Sequence, residues 1–134
     1  METERDLSKH RITQAKQCLE DAKSLLASGG YKGAANRAYY CAFHSIRSLL
    51  ALERVDYKSH KAIISDFRKK YIKTGILEMS LSEILTVLFR VRTDSDYDDF
   101  FVIEKEEVVK QIENAEFFYK RIEEHLHKID QTFK

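Results

Sequence analysis

The stretch Ala34 to Leu50, "AANRAYYCAFHSIRSLL", decides how the rest of the chain is read. Apolar residues at Ala35, Ala38/Tyr39, Ala42/Phe43, Ile46 and Leu49/Leu50 recur at the helical period, the stripe of a helix that buries one face. The opposite edge carries Arg37, Tyr40, His44 and Arg47 at the same spacing, so these four side chains line up together. No strand-like alternation competes with this pattern here or elsewhere.

Upstream, Leu7, Ile12, Ala15, Cys18/Leu19, Ala22 and Leu25/Leu26 form a first stripe, ended by the Gly29-Gly30 pair. The helix of Ala34 to Leu50 therefore returns antiparallel after a short turn. Downstream, Ser59 is placed to cap a third helix containing Ile63, Ile64, Phe67 and Tyr71, with Gly75 at a left-handed stop. Ser80 and Glu83 have the spacing of a capping box for a fourth helix through Leu85, Leu88 and Val91. The last helix has a heptad-like seam, Val108, Ile112, Ala115, Tyr119, Ile122, Leu126 and Ile129, suited to bundle packing or to a dimer. Proline is absent and glycine occurs only four times, so helices can run long. The expected fold is all-α, an antiparallel helical bundle of about five helices, four long and one shorter, with "RTDSDYDDFF" connecting the fourth to the last.

Without an internal boundary, residues 1–134 read as a single domain large enough for one core. A charged fraction of 34% beside an apolar fraction of 43% is the balance of a globular protein. No apolar run approaches the roughly 18 residues that span a bilayer. No apolar segment follows the charges of "METERDLSKHR", which points to the cytoplasm. Cys18 and Cys41 form no CxxC and read as free thiols. The net charge of +1 argues against coating nucleic acid through bulk charge. Charge is uneven, however: six basic residues against one acid from Lys58 to Lys73, and an acidic excess from Asp94 to Glu124. Such faces suit docking to a partner or an RNA, and equally describe solvated helix surfaces.

Within "RTDSDYDDF", Arg92 to Phe100, the residues Asp94, Asp96 and Asp98 match the first three ligand positions of a calcium loop. The match then fails, since Asp99 stands where glycine is required and Lys105 where a bidentate glutamate is required. Phosphate-loop, nucleophile-elbow and H-E-x-x-H motifs are absent, and His125 and His127 point about 200° apart on a helix. The sequence thus implies neither a metal nor a cofactor. The edge of Arg37, Tyr40, His44 and Arg47 could hold a phosphate and stack a base, or be an ordinary polar face. His60, beside Ser59, reads as a helix-start residue.

Three blocks in order, "AANRAYYCAFHSIRSLL", "SHKAIISDFRKKYIKTG" (Ser59 to Gly75) and "FRVRTDSDYDDF" (Phe89 to Phe100), closely resemble the small HEPN (higher eukaryotes and prokaryotes nucleotide-binding) domain proteins of bacteria and archaea. The resemblance covers nearly the whole chain. It implies a homodimeric helical bundle, often encoded beside a minimal nucleotidyltransferase in a toxin–antitoxin or defence pair. Many members of the wider family are metal-independent ribonucleases that pair an arginine with a histidine four to six residues beyond it, at the dimer cleft. A histidine moves the proton of the RNA 2′-hydroxyl while arginine steadies charge on phosphorus. Arg92 occupies the arginine position, but Tyr97 stands where the shortest motif has histidine, followed by Asp98 and Asp99. A phenol with a pKa of about 10 is a poor base at pH 7. The catalytic candidates are therefore Arg92, Tyr97 and Asp96, with His44 or His60 as a histidine that folding could deliver. On another reading, Arg92 ties down the aspartates and Tyr97 hydrogen-bonds across the turn or the dimer cleft. Three functions remain open: a homodimer that binds RNA, a nucleotide or a nucleotidyltransferase partner without cutting; a ribonuclease toxin; and a protein whose Tyr97 hydroxyl is modified by the partner nucleotidyltransferase.

Overall fold

The computed structural model describes residues 3–54 and 59–129. Helix α1 (Glu4–Ala27) starts at a reciprocal cap: the Thr3 hydroxyl accepts from the Asp6 amide at 3.1 Å, and the Asp6 carboxylate accepts from the Thr3 amide at 3.2 Å. Gly29, at φ +86°, turns the chain into α2 (Tyr31–Leu52) through a conformation that only glycine adopts cheaply. Helix α3 (His60–Phe67) is capped by the Ser59 hydroxyl, which accepts from the Ala62 amide at 3.1 Å. It continues into one π-helical turn, Arg68–Ile72, closed by the Lys73 amide on the Arg68 carbonyl at 2.8 Å. Gly75, at φ +78°, ends this segment at the expected place. Helices α4 (Met79–Tyr97) and α5 (Lys105–Ile129) complete the bundle. Among the described residues there is no strand, and no helix is long and apolar enough to cross a membrane.

Helix α2 is the axis of the bundle and packs against α1, α3, α4 and α5. Four neighbours can approach one helix only if much of its surface is small. Ala34, Ala35, Ala38, Cys41, Ala42, Ser45, Ser48 and Ala51 are all buried. The buried serines satisfy their hydroxyls on backbone carbonyls: Ser8 donates to Ser48 at 2.6 Å, joining α1 to α2, and Ser45 donates to Cys41 at 2.8 Å. Large side chains from the other helices, including Phe67, Leu85, Leu88, Phe118 and Ile122, fill the remaining space. Cys18 and Cys41 are buried free thiols.

Several local expectations are corrected or decided. Ser80 and Glu83 do not form the capping box, because α4 begins earlier, at Met79, after Glu78. The Glu78 carboxylate instead accepts from Arg121 of α5 at 2.8 Å from both Nε and Nη2, fixing the start of one helix against the side of another. The segment from Arg92 to Tyr97 is not a connection but the end of α4, and the connection is Asp98 to Glu104. The seam of α5 from Val108 to Leu126 lies in the core, so it is spent on bundle packing and not available to a second copy. His125, expected in solvent, is half-buried with its ring edge-on to Tyr71 at 5.9 Å. Lys58 lies outside the described residues.

Because Ala38 is fully buried at the centre of α2, Ala38→Leu must overpack the core. The expected loss is about 1–3 kcal/mol, read as a lower urea midpoint at unchanged slope.

Candidate functional site

One long edge of α2 is only half covered, and the end of α4 and the start of α3 converge on it. Tyr39 and the half-buried Tyr40 are the platform, with ring centroids 5.1 Å apart at 76°. The Arg92 guanidinium lies 5.3 Å from the Tyr39 centroid and 5.5 Å from that of Tyr40, the range of cation–π attraction. Its Nη2 donates to the Tyr40 hydroxyl at 3.2 Å. Its Nε lies 2.9 Å from Asp96 Oδ2 without an aligned hydrogen bond, so that contact is an ion pair. Asp96 also accepts from Asn36 Nδ2 at 3.1 Å. Asn36 Oδ1 in turn accepts from Arg37 Nε at 3.0 Å and Nη2 at 2.6 Å. Arg37 returns to the platform, 5.0 Å from the Tyr40 centroid. Arg92, Asp96, Asn36 and Arg37 thus ring Tyr40.

His60 enters from the first turn of α3. Its ring stacks on Phe43 at 4.0 Å, and Nδ1 lies 2.9 Å from the Tyr39 hydroxyl. Burial drives the Tyr39 phenol far above its ordinary range, so it stays protonated and has a proton to donate. Assigned from that bond, His60 Nδ1 is the acceptor and Nε2 carries the hydrogen. Burial first, then Arg92 and Arg47, hold the His60 pKa below its usual value, so the ring is neutral near pH 7. His44 lies 5.9 Å from Tyr40, centroid to centroid, and has a buried Nδ1 with no hydrogen-bond partner. Burial, then Arg47, Arg37, Arg11 and His60, push its pKa down to about 4. The surroundings of both imidazoles are cationic, with Asp96 as the local counter-charge.

The two sets of candidates read separately in the sequence, Arg37, Tyr40, His44 and Arg47 on one side and Arg92, Asp96 and Tyr97 on the other, therefore form one centre. Arg47 sits at its rim, 6.0 Å from the Phe43 centroid. Arg92 does tie down an aspartate, but only Asp96. Tyr97 is 73% exposed, its ring 5.8 Å from the Arg92 guanidinium, and it makes no hydrogen bond across the turn among the described residues. Asn36 and Tyr39 were missed as site residues: Tyr39 belongs to the core stripe, and Asn36 finds its partner sixty residues away. Asp94 and Asp96, being helical, project about 200° apart and cannot share a cation. Among the described residues no three His, Cys, Asp or Glu side chains gather to hold a metal ion.

A five-helix bundle whose central helix and fourth helix join in an arginine–tyrosine–histidine centre defines a class of small helical domains with a cationic, aromatic-lined site. The chain belongs to the HEPN domain family, whose model matches residues 8–125. A UPF0332 protein of Thermotoga maritima is 32% identical over 110 residues, covering 82% of this chain and 83% of that one. A Methanocaldococcus jannaschii protein bearing the name "Putative toxin MJ0605" is 33% identical over 118 residues, covering 88% of this chain and 87% of its own. The crystal structure of an archaeal HEPN homologue shares the fold at a TM-score of 0.60 and 18% identity, covering 94% of this chain and 99% of that one.

The burial of His44 has a pH signature. Its folded pKa of about 4 lies below the ordinary 6.5, so the unfolded chain takes up the proton first. Stability present above pH 6.5 is therefore lost as pH falls toward 4. The part due to His44 is on the order of 2 kcal/mol. Urea unfolding at the two ends of that window should show a smaller drop for His44→Gln than for the parent protein.

Proposed function

We propose that this chain is a toxin-type HEPN protein that binds RNA or a nucleotide without cutting it, working as a homodimer with a nucleotidyltransferase partner in the cytoplasm. The observation that carries the reading is the convergence of Arg37, Arg47, Arg92, His44, His60 and Tyr40 at one half-open centre. The guanidinium groups attract a phosphate, His60 Nε2–H supplies a neutral donor, and the Tyr40 ring offers a face to a base. The toxin name of the archaeal relative supports the biological class.

The same geometry disfavours cleavage. A general base needs a free lone pair near neutral pH. His60 spends its Nδ1 lone pair on Tyr39, the unbonded Nδ1 of His44 is buried and its pKa of about 4 makes it a weak base, Asp96 is held by Arg92 and Asn36, and Tyr97 stands in solvent. On this reading residues 1–134 are one domain, and the connection after α4 supports a second copy. There Phe100 is 93% exposed and Val102 78%, next to the exposed Tyr97. Apolar side chains gathered in water are the kind of patch that a second copy covers.

A second reading, a metal-independent ribonuclease, draws on one observation: His60 and Arg92 both lie against the Tyr39 ring, at 5.9 Å and 5.3 Å. Purified protein incubated with cellular RNA in EDTA distinguishes the two. Binding with intact RNA is expected, weakened about tenfold or more by Arg92→Ala, the worth of one charge-assisted phosphate contact. Cleavage that disappears in both Arg92→Ala and His60→Ala would replace the binding reading with the nuclease. For the dimer, Phe100→Asp with Val102→Asp should convert the sedimenting species to monomer, with helical circular dichroism unchanged.

A further inference from the structure

On the face formed by α3 and α4, the two helices splay apart and leave a groove of about 1030 Å³. They approach at the π turn and along its length are bridged by one side chain. Arg68 reaches across, its Nε donating to the Ser82 hydroxyl at 2.9 Å and its Nη2 to the Thr86 hydroxyl at 2.7 Å. The floor is apolar, built from Ile64, Ile72, Leu85 and Phe89, and the exposed Met79, at 61%, extends it at the turn. The rim is of one sign. Lys61, Lys69 and Lys73 line it, all exposed; among the described residues no acidic side chain does, and none of the three lysines is in an ion pair. The neighbouring Lys70, by contrast, points to Asp66 and Glu53 at 3.0 and 3.8 Å.

The π turn contributes to this arrangement. One residue more than an α-helical turn lets Tyr71 and Ile72 both pack inward, while Lys69 and Lys73 stay on the groove side. The neighbouring helices offer no free backbone edge, so an extended strand has nothing to pair with. The segment from His60 to Ile72 is about 20 Å long, enough for several turns of a third helix.

We infer that this groove docks an amphipathic, acid-rich helix of a partner protein, apolar anchors on the floor and carboxylates on the three rim lysines. An RNA strand fits less well, since the floor is mostly aliphatic, its half-buried Phe89 ring is packed edge-on to Tyr39, and no exposed aromatic ring among the described residues stands at the rim for base stacking. The lysine rim shares no residue with the tyrosine centre, which the groove meets only through the floor, where the Phe89 ring lies 5.7 Å from that of Tyr39.

The test is a displayed library of helical peptides about fourteen residues long, four turns, with apolar anchors fixed and the flanking positions drawn from Glu, Lys, Ser and Ala. Selection on the full-length protein should enrich Glu at the flanks. A synthesised winner should then bind in an anisotropy titration. Lys69→Glu with Lys73→Glu should weaken it about tenfold or more, the charge-swapped Lys peptide should regain binding to that variant, and Arg92→Ala should leave it unchanged. Failure to enrich acidic flanks, or winners indifferent to the double substitution, would overturn the proposal. So would a double variant that instead loses RNA binding, which would make the groove a nucleic-acid surface. A change in the sedimentation of the protein alone would likewise assign the groove to a second copy.

Discussion

The close approach that α2 permits governs everything around it. A central helix with four helical neighbours cannot carry large side chains on all sides, and its alanines, cysteine and serines let α1 and α5 settle near the backbone. The bulk is concentrated at Tyr39 and Phe43, toward α3 and α4. That asymmetry holds α3 and α4 at ring distance and leaves the edge of Tyr40, His44 and Arg47 half open. The site is where the small-residue packing stops.

At that edge aromatic rings do what a carboxylate cage would do elsewhere. Arg92 is largely buried at 16% side-chain exposure, and a buried guanidinium needs compensation. Two ring faces, a phenol oxygen and one carboxylate provide it without cancelling its charge outward. Asp96 is shared with Asn36, whose other end is held by Arg37, so one negative charge is distributed over two cations through an amide. The imidazoles remain uncharged chiefly because burial penalises the cationic ring, and secondly because a further cation would crowd these guanidinium groups. Such a centre is positive by construction and poorly supplied with acceptors, which suits recognition of an anion better than abstraction of a proton.

Much of this was legible in the sequence. The helical stripes, the glycine stops at Gly29 and Gly75, the Ser59 cap and the edge of Arg37, Tyr40, His44 and Arg47 follow from local periodicity and cap chemistry, and each stands in the structure. The end of α4 did not follow. Aspartates at 94, 96 and 98 crowd a helix C-terminus, where the dipole disfavours anions and local propensity says loop. The helix persists because Arg92 and Asn36 hold Asp96 and Ser95 is buried, contacts set by the fold. The Glu78–Arg121 pair displaced the expected capping box for the same reason: its partners are forty-three residues apart. His60 shows the limit from the other side. Its place at the start of a helix was readable, but its bond to Tyr39 depends on where α3 lands.

The π turn also sets a reading frame. A helical wheel drawn forward from Ser59 is in phase with the structure as far as Phe67 and one residue out of phase beyond Ile72. Anyone redesigning this helix from its α-helical period would bury Tyr71 correctly but place Ile72 off the core face. Removing one residue from Arg68 to Ile72 would restore an uninterrupted α-helix and put its two halves out of register with the bundle. The extra residue works as a phase shifter, letting one continuous segment face the core with one side before Arg68 and with a different side after it.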